Sequence, residues 1–406
     1  MRASDDVVST LRWLGGIART RLTGTPDERA AQDAIASRLE KAGYDIAWRA
    51  FRYPRHIYGS LALHFGLALA FAAIPWAYLA AAGHVLVAVS FFSEATRRGL
   101  ILRHLWPKVA SQNLLATRPS KGPMRRRLVF LAHVDSAYTG FLFRPEVLKV
   151  MAAPPPSFLP FLQKQLALPL VGVVLAAAFE VASVLFELPR WPGYVLLIPA
   201  VLVFLVNAQV VLQNEVVPGA ADNLTGCAAQ VVLAEAWAQR AADDVEVVFG
   251  FTGAEEAGTG GAFALVKAMR HEWSRDDTEV IILDTLSNGD LFALEEGELY
   301  RIERPASLVA AVDAAAANAG QPAVPKYVVP AGGTDALPFL AYGYRAIALT
   351  CIDPEQHAPR GYHHPSDTVE NVDPEQLVRS TDVAQHLLAE LAGLEEEADA
   401  PALRAG

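Results

Sequence analysis

The chain has 406 residues, enough for one large domain or two ordinary ones, with 52% hydrophobic and 19% charged residues. A net charge of −10 argues against a nucleic-acid partner, whose footprint is basic. Two cysteines, Cys227 and Cys351, exclude a disulfide framework and a cysteine zinc knuckle, and read as small buried apolar groups.

The N-terminus opens on a polar stretch without the apolar core of a signal peptide. Thr25-Pro-Asp-Glu28 is a helix start, with Thr25 as cap, Pro26 in the first turn and Glu28 able to bond back. That helix runs to Gly43, and the alternation from Tyr44 to Phe51 predicts a strand. The composition then changes. From Gly59 to Phe92 there is no Asp, Glu, Lys or Arg, and Pro75 is the natural break. A second apolar block runs from Leu166 to Leu212, interrupted by Glu180, Glu187 and Arg190. These blocks predict about four transmembrane helices in two hairpins. Basic residues at Arg97, Arg98, Arg103, Lys108 and 125–127 flank the first hairpin, and the positive-inside rule then places the polar mass in the cytoplasm. The expectation is an integral inner-membrane protein with a cytoplasmic-facing catalytic domain and the bilayer as a partner.

Further strands are predicted at Asn113–Thr117, Arg127–Ala132, Val245–Thr252, Glu279–Leu283 and Ala346–Thr350. Helical patterns lie between them at Cys227–Ala241, Gly261–Trp273 and Ala306–Ala319. Asp373-Pro-Glu-Gln376 caps a last helix that ends near Leu394. Strands alternating with helices predict an α/β domain, a mostly parallel central sheet flanked by helices. The organisation follows: 1–57 begins the catalytic domain, 58–108 is a hairpin with a basic flank, and 109–140 returns to the domain. Residues 141–213 form the second insertion, 214–394 complete the domain, and 395–406 form an acidic disordered tail.

Five stretches carry chemistry. A predicted strand ends on His133-Val-Asp135, and Pro218 to Gly226 is a tight turn around Asp222. Gly253-Ala-Glu255-Glu256 follows another strand, Asp284 ends a third, and His363-His364 with Asp367-Thr368 lies in a Pro-rich loop. In open α/β sheets ligands bind beyond the carboxyl ends of strands, where His133, Glu255, Glu256 and Asp284 project. Taken singly, each has a bland reading: a structural histidine, an exposed acidic turn, a helix cap. Five together do not. Imidazoles and carboxylates without thiolates suit Zn²⁺ in a catalytic, water-bearing site. A bridging Asp would join two matched sites, and a separate carboxylate would take the proton of a shared water.

In this order, residue type and spacing, the chain resembles the M28 family of zinc peptidases, the aminopeptidase type with two co-catalytic zincs. The resemblance rests on His133-Val-Asp135, Gly219 to Gly226, Gly253 to Gly258, Asp284 and His363 to Thr368, and covers roughly 9–57, 109–140 and 214–394. It implies two Zn²⁺ per chain and a peptide substrate, with removal of N-terminal residues as the expected cut. It implies that His133 and Glu256 bind one zinc, Asp284 and His363 the other, and that Asp222 bridges them. Glu255 would be the general base, and Asp135 would steady His133. His363 rather than His364 aligns with the ligand, given the spacing to Asp367-Thr368. Ala221 before the bridging Asp and Thr-Leu-Ser after Asp284 depart from the family's pattern, and Gly332-Gly-Thr-Asp335 has no assigned role. The second insertion returns about ten residues before Asp222, a reach of at most roughly 35 Å, which places the cleft near the bilayer and suggests peptides at or emerging from it. The alternatives are a single-zinc, glutaminyl-cyclase-like acyltransferase and a non-catalytic membrane scaffold on the same fold. Oligomeric state is left open.

Overall fold

A computed structural model describes residues 6–153, 164–240 and 242–394; the acidic tail expected at 395–406 lies outside them. The chain runs α1 (Val7–Gly15), α2 (Pro26–Lys41), β1 (Asp45–Pro54), α3 (Ile57–Ala72), α4 (Ala77–Ala95), β2 (Lys108–Arg118) and β3 (Arg126–His133). It continues through α5 (Pro145–Met151), α6 (Ala167–Leu185), α7 (Trp191–Val195), α8 (Ile198–Gln213), α9 (Thr225–Arg240) and β4 (Val245–Thr252). Then come α10 (Gly260–Met269), β5 (Thr278–Leu283), β6 (Asp290–Glu295), α11 (Ala306–Asn318), β7 (Lys326–Val328), α12 (Ala336–Ala341), β8 (Arg345–Ile352) and α13 (Pro374–Ala392).

The strands form one mixed sheet in the order β1-β2-β4-β3-β5-β8-β6-β7. The central four, β4-β3-β5-β8, are mutually parallel, while β1, β2 and β6 join antiparallel. The parallel centre follows from its sequence: Leu128 to His133 and all of β5 are buried on both faces, as near-continuous apolar runs require. Alternate side chains face two separate cores. Leu128, Phe130, Phe249, Ile281 and Leu349 pack under α1, α2, α9, α11 and α13. Val129, Leu131, Val248, Ile282 and Ala348 pack under α10 and α12. Helices thus cover both faces of the sheet, the layering expected for an α/β domain. The caps form as read, with one change: Thr25 accepts from the Glu28 amide, but Glu28 bonds back to the amide of Gly24, at 2.7 Å, not to Thr25. Asp373 accepts from the amides of Glu375 and Gln376 and starts α13.

The inserted helices α3, α4, α6 and α8 pack on one another, α4 on α6 and α3 on α8, around Phe65, Phe91, Val173 and Ala200. Four spanning helices were expected; among the described residues two, Ala77–Ala95 and Ala167–Leu185, are long and apolar enough to cross a membrane. Helices α3 and α8 have 16 residues each, about 24 Å at ~1.5 Å per residue against a hydrocarbon core of ~30 Å. The charge-free run from Tyr194 to Leu212 is not one helix, because α7 ends at Val195 and α8 restarts at Ile198 with Pro199 in its first turn. Glu180 is not a lone charge either: Arg190 donates to both its oxygens, at 2.6 and 2.7 Å.

Register places the insertion at the working end of the sheet. Pro54 pairs with Lys108, so α3 and α4 extend the β1–β2 hairpin beyond that rung. Strand β2 runs antiparallel to β4, with Leu114 opposite Phe251, so the start of β2 lies beside the end of β4.

Candidate metal centre

Three adjacent strands end together. His133 is level with Thr252 on β4, and Leu131 is level with Ile282 on β5, so His133, the turn after Thr252 and Asp284 all emerge at one edge. The Asp222 turn is folded over this edge by its own sequence. Gly219 sits at φ +65°, where a Cβ would come within 2.5 Å of the Asp222 carbonyl oxygen, so only glycine fits without strain. Asn223 ties the turn to β5: its amide donates to the Leu283 carbonyl at 2.9 Å, and its carbonyl accepts from the Gly226 and Thr285 amides, both at 3.0 Å. Asp367, four residues after His363, accepts from the amides of Ala221 at 2.6 Å and Asp222 at 3.1 Å. The loop bearing one histidine therefore holds the turn bearing the central carboxylate.

The two oxygens of Asp222 face different partners. Oδ1 lies 3.1 Å from His133 Nε2, which is 3.7 Å from Asp284 Oδ1. Oδ2 lies 3.3 Å from His363 Nε2, which is 3.3 Å from Glu256 Oε2. Two ligand triplets result, His133–Asp222–Asp284 and Asp222–Glu256–His363, each with its donor atoms within 4.8 Å of one another. His133, Glu255 and Glu256 form a third, overlapping group. The first two triplets set His133 beside Asp284 and Glu256 beside His363, where the sequence expectation set His133 with Glu256 and Asp284 with His363; the third group brings His133 and Glu256 together. Pairing depends on which loops lie side by side, and β3 neighbours β5 on one side and β4 on the other. His364 turns away, with Nδ1 2.8 Å from the Ser366 hydroxyl.

Asp135 faces His133 and also reaches beyond it. The backbone carbonyl of Asp135 is 3.1 Å from His133 Nδ1, while its carboxylate oxygen is 3.7 Å away. That carboxylate accepts from the amides of Glu255 at 3.0 Å and Glu256 at 3.2 Å, and from the Thr23 hydroxyl at 2.8 Å. It orients the glutamate turn. Arg21 was not visible in the sequence as a site residue, since a lone arginine between helices carries no motif. It is fully buried, donating from Nε to the Val134 carbonyl at 2.8 Å and from a terminal nitrogen to the Gly219 carbonyl at 2.7 Å. It fastens the His133 strand end to the Asp222 turn.

These residues fit a divalent cation. Glu256 Oε1 is buried without a hydrogen-bond partner, as a ligand oxygen would be. The carboxylates crowd each other: burial, then the charge of Asp222, pushes Glu256 up to about 7. Burial alone would lower the His363 imidazole, but Glu256 and the hydrogen bonds to Asp222 and Glu256 override it and push it up to about 10. Burial also disfavours the His133 cation, yet Asp135, Asp222 and Asp284 hold its pKa well above the ordinary value. A site that draws this much positive charge, with nitrogen and oxygen donors only, has the chemistry of zinc or a related ion. The clusters define at least one metal site.

Fold and site together are those of a zinc-binding hydrolase, and part of the chain is similar to M28 peptidases. The sequence profile of Peptidase family M28 matches residues 207–388, which hold Asp222, Glu255, Glu256, Asp284 and His363. The fold is similar to the zinc aminopeptidase BSAP from Bacillus subtilis, at 15% identity and TM-score 0.55, covering 95% of this chain and 94% of that one. It is similar to an aminopeptidase from Aneurinibacillus sp. strain AM-1, at 15% identity and TM-score 0.54, covering 95% and 93%. It is also similar to a glutaminyl cyclase from Bacteroides thetaiotaomicron, at 12% identity and TM-score 0.56, covering 95% and 96%. No curated protein matches the sequence. These likenesses overturn the expected location as an integral inner-membrane protein with a cytoplasmic-facing catalytic domain. Aminopeptidase and cyclase structures match over 95% of this chain. Two candidate spans are thin support for a bilayer as partner.

Proposed function

We propose that the chain is a two-zinc aminopeptidase that hydrolyses peptide bonds. The observation that carries this reading is the division of Asp222, one oxygen toward each ligand triplet. His133 and Asp284 would hold one ion, Glu256 and His363 the other, with Asp222 between them. Bound there, the pair of cations supplies Lewis acidity and lowers the pKa of a shared water toward ~7. Glu255 is adjacent to Glu256 and half-buried where Glu256 is buried, and the two carboxylates lie within 4.8 Å of each other beside His133. Burial pushes the Glu255 carboxyl well above the usual range, which suits a group that must accept a proton and give it back. Its carboxylate takes the proton of the attacking water and returns it to the leaving amine. Asp135 keeps both glutamates aimed by holding their amides.

Glu255→Gln keeps shape and removes the base. It should lower the hydrolysis of free-amine peptides by about 10²–10⁴-fold while zinc content stays at the parental value. A variant as fast as the parent would remove Glu255 from the reaction.

A further inference from the structure

We propose that the first helical insertion is a positioning device for one of the two metal sites, acting through Tyr58 on α3 and Arg103 after α4. The inference rests on the metal-site reading and adds residues that no motif contains.

Tyr58 lies in the first turn of α3 and is buried, with its hydroxyl oxygen 3.1 Å from His363 Nδ1. His363 Nε2 faces Asp222 and Glu256, so Nδ1 is the nitrogen left to bear the proton. A histidine that ligates through one nitrogen needs a partner on the other to fix its tautomer and ring angle. The Tyr58 oxygen is that partner. Aromatic rings hold the arrangement: Tyr362 stacks on the His363 ring at 4.0 Å, and Phe143 lies 4.6 Å from His363 and 5.9 Å from Tyr58.

Arg103 reaches the backbone next to another ligand of the same triplet. It is fully buried and donates to the carbonyls of Ala257, next to Glu256, and of Pro54, the latter at 3.1 Å. Its other terminal nitrogen donates to Glu94 on α4 at 2.9 Å, and Glu94 also accepts from Ser60 on α3 at 2.9 Å. Arg97, at the end of α4, donates to the Thr259 hydroxyl at 2.7 Å and to Glu298 at 2.6 Å. Buried ion pairs add little net stability but fix geometry when every partner is in place. Here the fixed element is the segment that carries Glu256. The insertion thus contacts one ligand of the Asp222–Glu256–His363 triplet directly, His363, and through Arg103 the residue that follows a second, Glu256. His133 is instead backed by the Asp135 carbonyl, from the sheet itself.

The test is zinc titration of metal-depleted, full-length protein against a chromophoric chelator, for the parent, Tyr58→Phe, Arg103→Lys and His363→Ala. His363→Ala identifies the step that belongs to this triplet by removing one equivalent. Tyr58→Phe should weaken that step by about tenfold, within the range seen when a ligand's outer partner is lost, and shift the other step by less than threefold. Arg103→Lys should weaken the same step, since an ammonium cannot replace a planar fork with several partners. Melting of the metal-free proteins reports folding separately, and Arg103→Lys carries the test should Tyr58→Phe not fold. Both steps unchanged, or both weakened equally, would overturn the proposal while leaving the metal-site reading intact. Two equivalents retained by His363→Ala would overturn that reading itself.

Discussion

Arg21→Met separates a structural arginine from one that merely happens to be buried. The methionine keeps most of the stem volume, so the cavity term is small. What disappears is the pair of hydrogen bonds to the Val134 and Gly219 carbonyls, at 2.8 and 2.7 Å. Each buried carbonyl left without a partner costs about 1–3 kcal/mol, so the pair amounts to ~2–6 kcal/mol. The lower half is the better expectation, because burial works against the guanidinium and the charges of Asp367, Asp135 and Asp222 only partly offset it. The variant should therefore lose about 3 kcal/mol in urea unfolding of the metal-free protein. Zinc affinity should fall as well, since His133 and Asp222 lie just beyond the two carbonyls. Arg21→Lys should recover only part of the loss, as one ammonium cannot reproduce the fork. A loss below about 0.5 kcal/mol, within the range of an ordinary surface substitution, with zinc binding unchanged, would refute the idea that Arg21 fastens the two metal-bearing segments.

Gly219→Ala should destabilise by about 1–3 kcal/mol and lower metal occupancy, because the new methyl meets the Asp222 carbonyl; unfolding and metal analysis on one sample check both. His364→Ala should keep the parental zinc content, its ring being turned to Ser366, whereas loss of an equivalent would make it a ligand. Asp353 tests the pH dependence away from the metals. Burial would raise its pKa, but hydrogen bonds from Arg360 and from the Glu355 and Gln356 amides outweigh that and lower it. A depressed carboxylate stabilises the fold fully above its unfolded value of ~3.9 and loses that contribution as pH falls through the folded value. Asp353→Asn should thus cost about 1 kcal/mol near neutrality, with the gap to the parent closing in acid; a gap that stays constant into acid would contradict the assignment.

The parallel centre of the sheet and the ligand types were legible because each sits on a local signal. Short apolar runs such as Leu128–Ala132, which hold β-branched and aromatic residues, read as buried strands, and acidic or imidazole groups that recur at their ends point to a shared site. Pairing was not legible. Which ligands lie side by side depends on strand order and loop path, with Asp222 turning one oxygen toward each triplet. Strand β7 escaped because an edge strand as short as Lys326–Val328 carries too few residues for a period. The four apolar helices were read by composition alone; their lengths depend on where Ala73 and Val195 end them, and those breaks carry no charge. Arg21, Tyr58 and Arg103 each reach a partner more than 100 positions away, which no spacing rule records.

Zinc counted per folded chain, for the parent and for Asp222→Ala, tests the central claim most directly. Two equivalents in the parent, and a loss of both or nearly both when the shared carboxylate is removed, are predicted. A parent that binds one zinc or none, or an Asp222→Ala protein that keeps two, would contradict a pair of ions held across that residue.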